Sequence, residues 1–154
     1  MKRAEKSQAV IVVIEDDGWK KRLPRAAWRV RRAAALALPR GKRLTVLLTS
    51  DARLREMNHQ FRGKDKPTNV LSFPAGESEK GYLGDVAIAL GVSAREAKAE
   101  GKSLADHLSH LVIHGTLHLL GHDHEAAREA AKMESLEASL LAKIGIADPY
   151  REAA

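Results

Sequence analysis

The sequence predicts an α+β fold, a small mixed sheet of about four strands packed with helices, and three observations carry that expectation. Short β-branched or apolar runs lie before residue 90, each closed by turn residues. Segments with helical period lie between and after these runs. No repeat, low-complexity tract or long linker divides the 154 residues, which suffice for a real core and read as a single domain, 1–154.

Val10–Ile14 is the first β-branched run, and Glu15, Asp16, Asp17 and Gly18 end it as a turn. Pro24 suits the first turn of a helix, whose Ala- and Arg-rich body continues to Leu38 before Pro39 and Gly41 stop it. Leu44–Thr49 is a second strand. Leu54, Met57 and Phe61 recur at helical spacing and place a short helix over Asp51–Phe61. After the polar loop from Arg62 to Thr68, Val70–Phe73 is a third strand and Gly84–Ala89 a fourth. Ser93 and Glu96 have capping-box spacing for a helix ending near Gly101. Ser103 and Asp106 open the next helix, which runs to Leu120 with Leu104, Leu108, Leu111 and Val112 on its core side. A tight turn follows. Asp123 then suits the cap of a last helix over Glu125–Lys143, where Met133, Leu136, Leu140 and Leu141 repeat with helical period.

Hydrophobic residues make up 44% of the chain, but only two each are Phe, Trp and Tyr, so the core must be built mainly from Leu, Ala, Val and Ile. No apolar run approaches the roughly 20 residues needed to span a bilayer. The charged opening from Met1 to Lys6 is not followed by a signal-peptide core, so a cytoplasmic location without membrane contact is expected. The net charge of +6 is unevenly distributed. Gly18 to Ser50 holds ten Lys or Arg and no acidic residue, whereas Ser93 onward holds seven basic and ten acidic residues, a balance of −3. A basic side of this kind favours a polyanionic partner, with RNA and ribosomal surfaces the natural candidates.

Four of the seven histidines fall within the eleven residues from His114 to His124. His114 and His118, four apart, lie one turn apart on the same helix face, so their rings can converge. Gly121 fits the residue just past the helix, where a left-handed backbone is easy, and lets the chain return with His124 as third ligand. His122 is the alternative third ligand; His124 is preferred because it leaves more chain for the return. Three imidazoles leave one position of a tetrahedral ion open, as in a catalytic zinc site, and one Zn2+ per chain is expected, with nickel and cobalt also compatible. No cysteine is present to build a thiolate site. His110 and His118 are about 12 Å apart along the axis, too far for one ion, so His110 and His107 are expected in supporting or packing roles.

An open metal position makes hydrolysis the default reaction class. Zinc peptidases of this ligand spacing place a glutamate after the first histidine as general base, and here that residue is Gly115. Phosphodiester cleavage instead needs charge neutralisation on nonbridging oxygens, which a metal and an arginine can supply. Arg62, Lys64 and Lys66 are the candidates for contacting that substrate, against the plainer reading that they are exposed loop charges. A peptidase, or a ribosome-binding factor with a purely structural metal, are the competing functions.

The run Asn58-His-Gln-Phe-Arg62-Gly-Lys-Asp-Lys-Pro67-Thr68-Asn69-Val70-Leu71-Ser72-Phe73, followed by Gly84-Asp85-Val86, the histidine motif and Met133-Glu134, resembles the bacterial YbeY family of single-strand-specific endoribonucleases. These motifs run from residue 58 to 134. Asn69 stands where many members have Asp, and His122 where many have Tyr. The resemblance implies an α+β fold, zinc held by His114, His118 and His124, and Arg62 as an arginine needed for RNA cleavage. Arg62 and the ligand His114 therefore form the expected catalytic set. It further implies single-stranded RNA as substrate, action on ribosomal RNA at the 16S 3′ end with the small subunit as partner, and a part in ribosome quality control. Asp85 is the acidic residue expected near the site, either as a proton-transfer group or merely as hydrogen-bond partner of a ligand imidazole, and is left out of the catalytic set.

Overall fold

The computed structural model describes residues 9–63, 68–76, 80–122 and 126–151, with Arg62 described by its backbone alone. Four strands, β1 (Val10–Ile14), β2 (Arg43–Thr49), β3 (Val70–Pro74) and β4 (Tyr82–Ala89), form one mixed sheet in the order β1-β2-β4-β3. β1, β2 and β4 are parallel, and β3 runs antiparallel to β4 at the edge. Among the described residues the helices are α1 (Gly18–Arg22), α2 (Ala26–Ala37), α3 (Asp51–Arg62), α4 (Leu90–Ala99), α5 (Leu104–Leu119) and α6 (Ala127–Ala142). The fold is α+β, as the sequence predicts.

Strand alternation sorts the side chains into two layers. Val86 and Ile88 of β4 join Leu44, Val46 and Leu48 of β2 against α2, α5 and α6, in the main core. Ala87 and Ala89 face the other way, into a smaller cluster with Leu54 of α3 and Leu71 of β3. β4 begins at Tyr82, two residues earlier than expected, and the pairing with β2 shifts register between Arg43 and Thr45. Gly84 sits at that irregularity with φ +135, and a Cβ there would collide with the Phe73 carbonyl oxygen. Only glycine lets the edge strand approach this closely.

Several local expectations are corrected. The turn after β1 continues into α1, a helix too short to show periodicity, which buries Trp19 completely; its indole N–H donates to the Thr49 carbonyl at 3.0 Å. Pro24 lies before α2 rather than in its first turn, and Arg25 caps that helix with φ +63. The Ser93–Glu96 capping box does not form. β4 passes straight into α4 at Leu90, and Ser93 is buried inside the helix. The N-terminal amide of Val92 instead donates to Asp51 Oδ1 at 2.9 Å, so the first residue of α3 caps α4 from 41 positions away. Ser103 does cap α5, accepting from the Asp106 amide at 3.0 Å. The last helix starts at Ala127 with no side-chain cap; the expected cap, Asp123, lies outside the described residues.

Candidate metal centre

α5 is two-sided. Leu108, Val112, Ile113 and Leu117 are buried against the sheet and α2, while His110, His114 and His118 follow one another at i, i+4, i+8 along another face. The rings of His114 and His118 stack with centroids 5.8 Å apart and planes inclined by 21°. After Leu119 the chain reverses through Gly121 at φ +101, where an L side chain would be strained. The Gly121 amide donates to the His118 carbonyl and the His122 amide to the Leu117 carbonyl, each at 3.1 Å, which is the Schellman pattern. That turn brings the His122 carbonyl to 2.9 Å from His118 Nδ1.

His114 is oriented by a different group. Glu137 of α6 is fully buried, with Oε2 accepting from His114 Nδ1 at 2.9 Å and Oε1 accepting from His110 Nε2 at 2.6 Å and the Tyr150 hydroxyl at 2.5 Å. Burial pulls its carboxyl upward, but the three hydrogen-bond donors outweigh that and hold it at about 2, so it is ionised throughout the working range. Burial, reinforced by the same carboxylate, raises the Tyr150 hydroxyl well above its ordinary value, which keeps it protonated as a donor.

The consequence is a matched pair of tautomers. Both His114 and His118 donate through Nδ1, so in each neutral ring the lone pair lies on Nε2, the atom that would ligate a metal. Carboxylate and carbonyl partners of this kind fix ring orientation and raise ligand basicity in metal sites. The donor set therefore fits a divalent ion. His110 spends Nε2 on Glu137, and buried His107 pairs its Nε2 with Glu96 at 2.9 Å; both are supporting residues, as the axial spacing predicts. A cavity of about 230 Å³ opens beside them, lined by Asn69, Glu96, His107, His110, His114 and Tyr150.

His114 and His118 are thus brought together as expected. Among the described residues no group of three metal-ligating side chains is assembled, and His124, Lys64 and Lys66 lie outside those residues. Arg62 is the last residue of α3. Asp85 is a correction. It is exposed on β4, facing the side of the sheet opposite Val86 and therefore opposite α5, and it accepts from the Tyr82 hydroxyl instead. Glu137 fills the role given to it. Its signal was in the sequence, because position 137 falls on the apolar stripe of Met133, Leu140 and Leu141, and a carboxylate there must have buried partners.

Gly115 has a packing reason. A Cβ there would stand 2.6 Å from Val86 Cγ1 and 3.3 Å from Ser72 Oγ, and Ser72 Oγ donates to the Gly115 carbonyl at 3.2 Å. The position that would carry a peptidase's glutamate is pressed against the sheet.

Fold and site together define a small α+β protein that presents two oriented histidines suited to a divalent ion. A family model described as Endoribonuclease YbeY matches residues 12–145. The Endoribonuclease YbeY of Azorhizobium caulinodans is 51% identical over 90% of this chain and 94% of its own, and that of Paramagnetospirillum magneticum 46% identical over 93% and 96%. The solution structure of TM1509 from Thermotoga maritima superimposes with a TM-score of 0.55 at 25% identity, covering 93% of this chain and 99% of that one. The chain belongs to the YbeY endoribonuclease family, whose members cut RNA in a metal-dependent manner and act in ribosomal RNA processing.

Proposed function

We propose that residues 1–154 form one domain that is a single-strand-specific endoribonuclease acting in the cytoplasm on the small ribosomal subunit, in 16S rRNA 3′-end maturation and ribosome quality control. The metal we assign is one zinc ion, held by His114, His118 and His124. The observation that carries the reading is the pair of Nδ1 hydrogen bonds, from His114 to Glu137 and from His118 to the His122 carbonyl. When bound, the ion supplies Lewis acidity toward a phosphoryl oxygen. The chain's own residues do the rest. Glu137 keeps the His114 proton on Nδ1, and the turn at Gly121 does the same for His118 through His122. Arg62 neutralises charge that develops on the nonbridging oxygens, and Lys64 and Lys66 hold the neighbouring phosphates.

The test is cleavage of a labelled single-stranded RNA by the purified protein beside an identically prepared His118→Ala variant, with bound metal identified by elemental mass spectrometry. Cutting by the unaltered protein alone, with zinc in it, supports the proposal. Equal cutting by both proteins, or a folded His118→Ala protein with full activity, sinks it.

A further inference from the structure

The chain has two tryptophans, and they have opposite fates. Trp19 is fully buried, whereas Trp28 on α2 is 43% exposed. Two guanidiniums lie over the Trp28 ring, Arg25 at 4.1 Å and Arg32 at 4.7 Å from the centroid. Arg25 reaches it from a left-handed backbone, the only non-glycine residue with positive φ among those described. That conformation is unfavourable for any residue with a Cβ, and its persistence points toward a use for the side chain it places.

The surroundings are uncompensated positive charge. Arg25 and Arg32 belong to the run of ten basic residues without an acid between Gly18 and Ser50, and none of the ten forms an ion pair among the described residues. Arg32 Nε is buried without a hydrogen-bond partner. A guanidinium laid on an indole has lost its rotational freedom before any ligand arrives, yet keeps its paired Nη N–H groups for a phosphate.

We propose that Arg25, Trp28 and Arg32 form a phosphodiester clamp for single-stranded RNA on α2, holding the strand at a distance along the chain from the bond cut at α5. This deepens the proposed function and rests on its reading of RNA as the substrate. The clamp reads backbone charge. It therefore strengthens binding of long strands and leaves a short substrate that reaches only the metal centre unaffected.

The test uses the metal-loaded protein and a long 2′-O-methyl oligouridine as uncleavable probe, read by fluorescence anisotropy across salt concentrations. Arg25→Gln/Arg32→Gln should weaken binding about ten-fold, and its log–log salt slope should fall by about 1.4, from about 0.7 per single-strand phosphate. Trp28→Ala, which keeps both charges, should weaken binding about three-fold by freeing the guanidiniums. Cleavage of a tetranucleotide should stay as in the unaltered protein for both variants. Unchanged affinity and slope in the double variant overturn the clamp, and so does a Trp28→Ala protein that binds normally, since the charges would then act diffusely. If the unaltered protein cuts no RNA while these binding losses appear, the clamp stands and the nuclease reading fails.

Discussion

Replacing Glu137 with Gln isolates what the buried carboxylate contributes, because size is kept and only charge and one acceptor are lost. In the native site both oxygens accept, Oε2 from His114 and Oε1 from His110 and Tyr150. An amide has a single acceptor oxygen, so its NH2 must confront either His114 Nδ1–H or His110 Nε2–H. The facing donors are relieved if His114 moves its proton to Nε2, and that tautomer has no Nε2 lone pair to offer a metal. Loss of an orienting partner of this type costs about 10- to 100-fold in metal affinity, or about 1.4 to 2.7 kcal/mol. The frustrated buried donors cost about 1 to 3 kcal/mol of stability, and at about 2 to 4 °C per kcal/mol for a chain of this size the melting temperature should fall by several degrees. The assay is metal retained against a graded competing chelator, with a thermal melt on the same preparation and exposed Glu129→Gln as control. A Glu137→Gln protein that retains metal and melts like the unaltered one would refute the tautomer argument outright.

Other substitutions probe the scaffold. Gly115→Ala gains about 1 kcal/mol of helix propensity but forces a Cβ against stiff, buried Val86, at about 1 to 3 kcal/mol; urea denaturation should show a net loss, and a gain would mean that α5 can lift from the sheet. Gly121→Ala places a Cβ at positive φ and costs about 1 kcal/mol or more. Because the same turn aims the His122 carbonyl at His118, metal retention should drop together with the midpoint, and stability loss without metal loss would show that the two are separable. Trp19→Phe removes the donor to the buried Thr49 carbonyl, so unfolding should become easier by about 1 to 3 kcal/mol, and an unchanged midpoint would show that water replaces the indole N–H.

What could be read in the sequence was local. The histidine pair needs only the helical period, and Gly121 needs only the rule for ending a helix, so both stand where expected. The differences at α4 and α1 have long-range causes. α4 is capped by Asp51 from 41 residues away, which is why a nearer Ser–Glu pair of suitable spacing misled. α1 has five residues and is held by an indole bonded 30 residues on, so no periodicity could mark it. Motif position alone puts Asp85 beside the site, whereas alternation from buried Val86 and Ile88 puts it on the opposite side of the sheet. Glu137 was visible as an acid on an apolar stripe, but which imidazoles it served depended on how α6 docks.

That docking also sets an order of events. The bonds that orient His114 and hold His110 span 23 and 27 residues, and Tyr150 closes on His110 across 40. α5 on its own is a helix with histidines whose protons are free to sit on either nitrogen. Only when α6 settles against it does one tautomer win at His114, so under the proposed ligand assignment competence to take up the ion arrives with tertiary structure. A chain that will cut RNA is thereby kept without an oriented ligand pair until its core has closed.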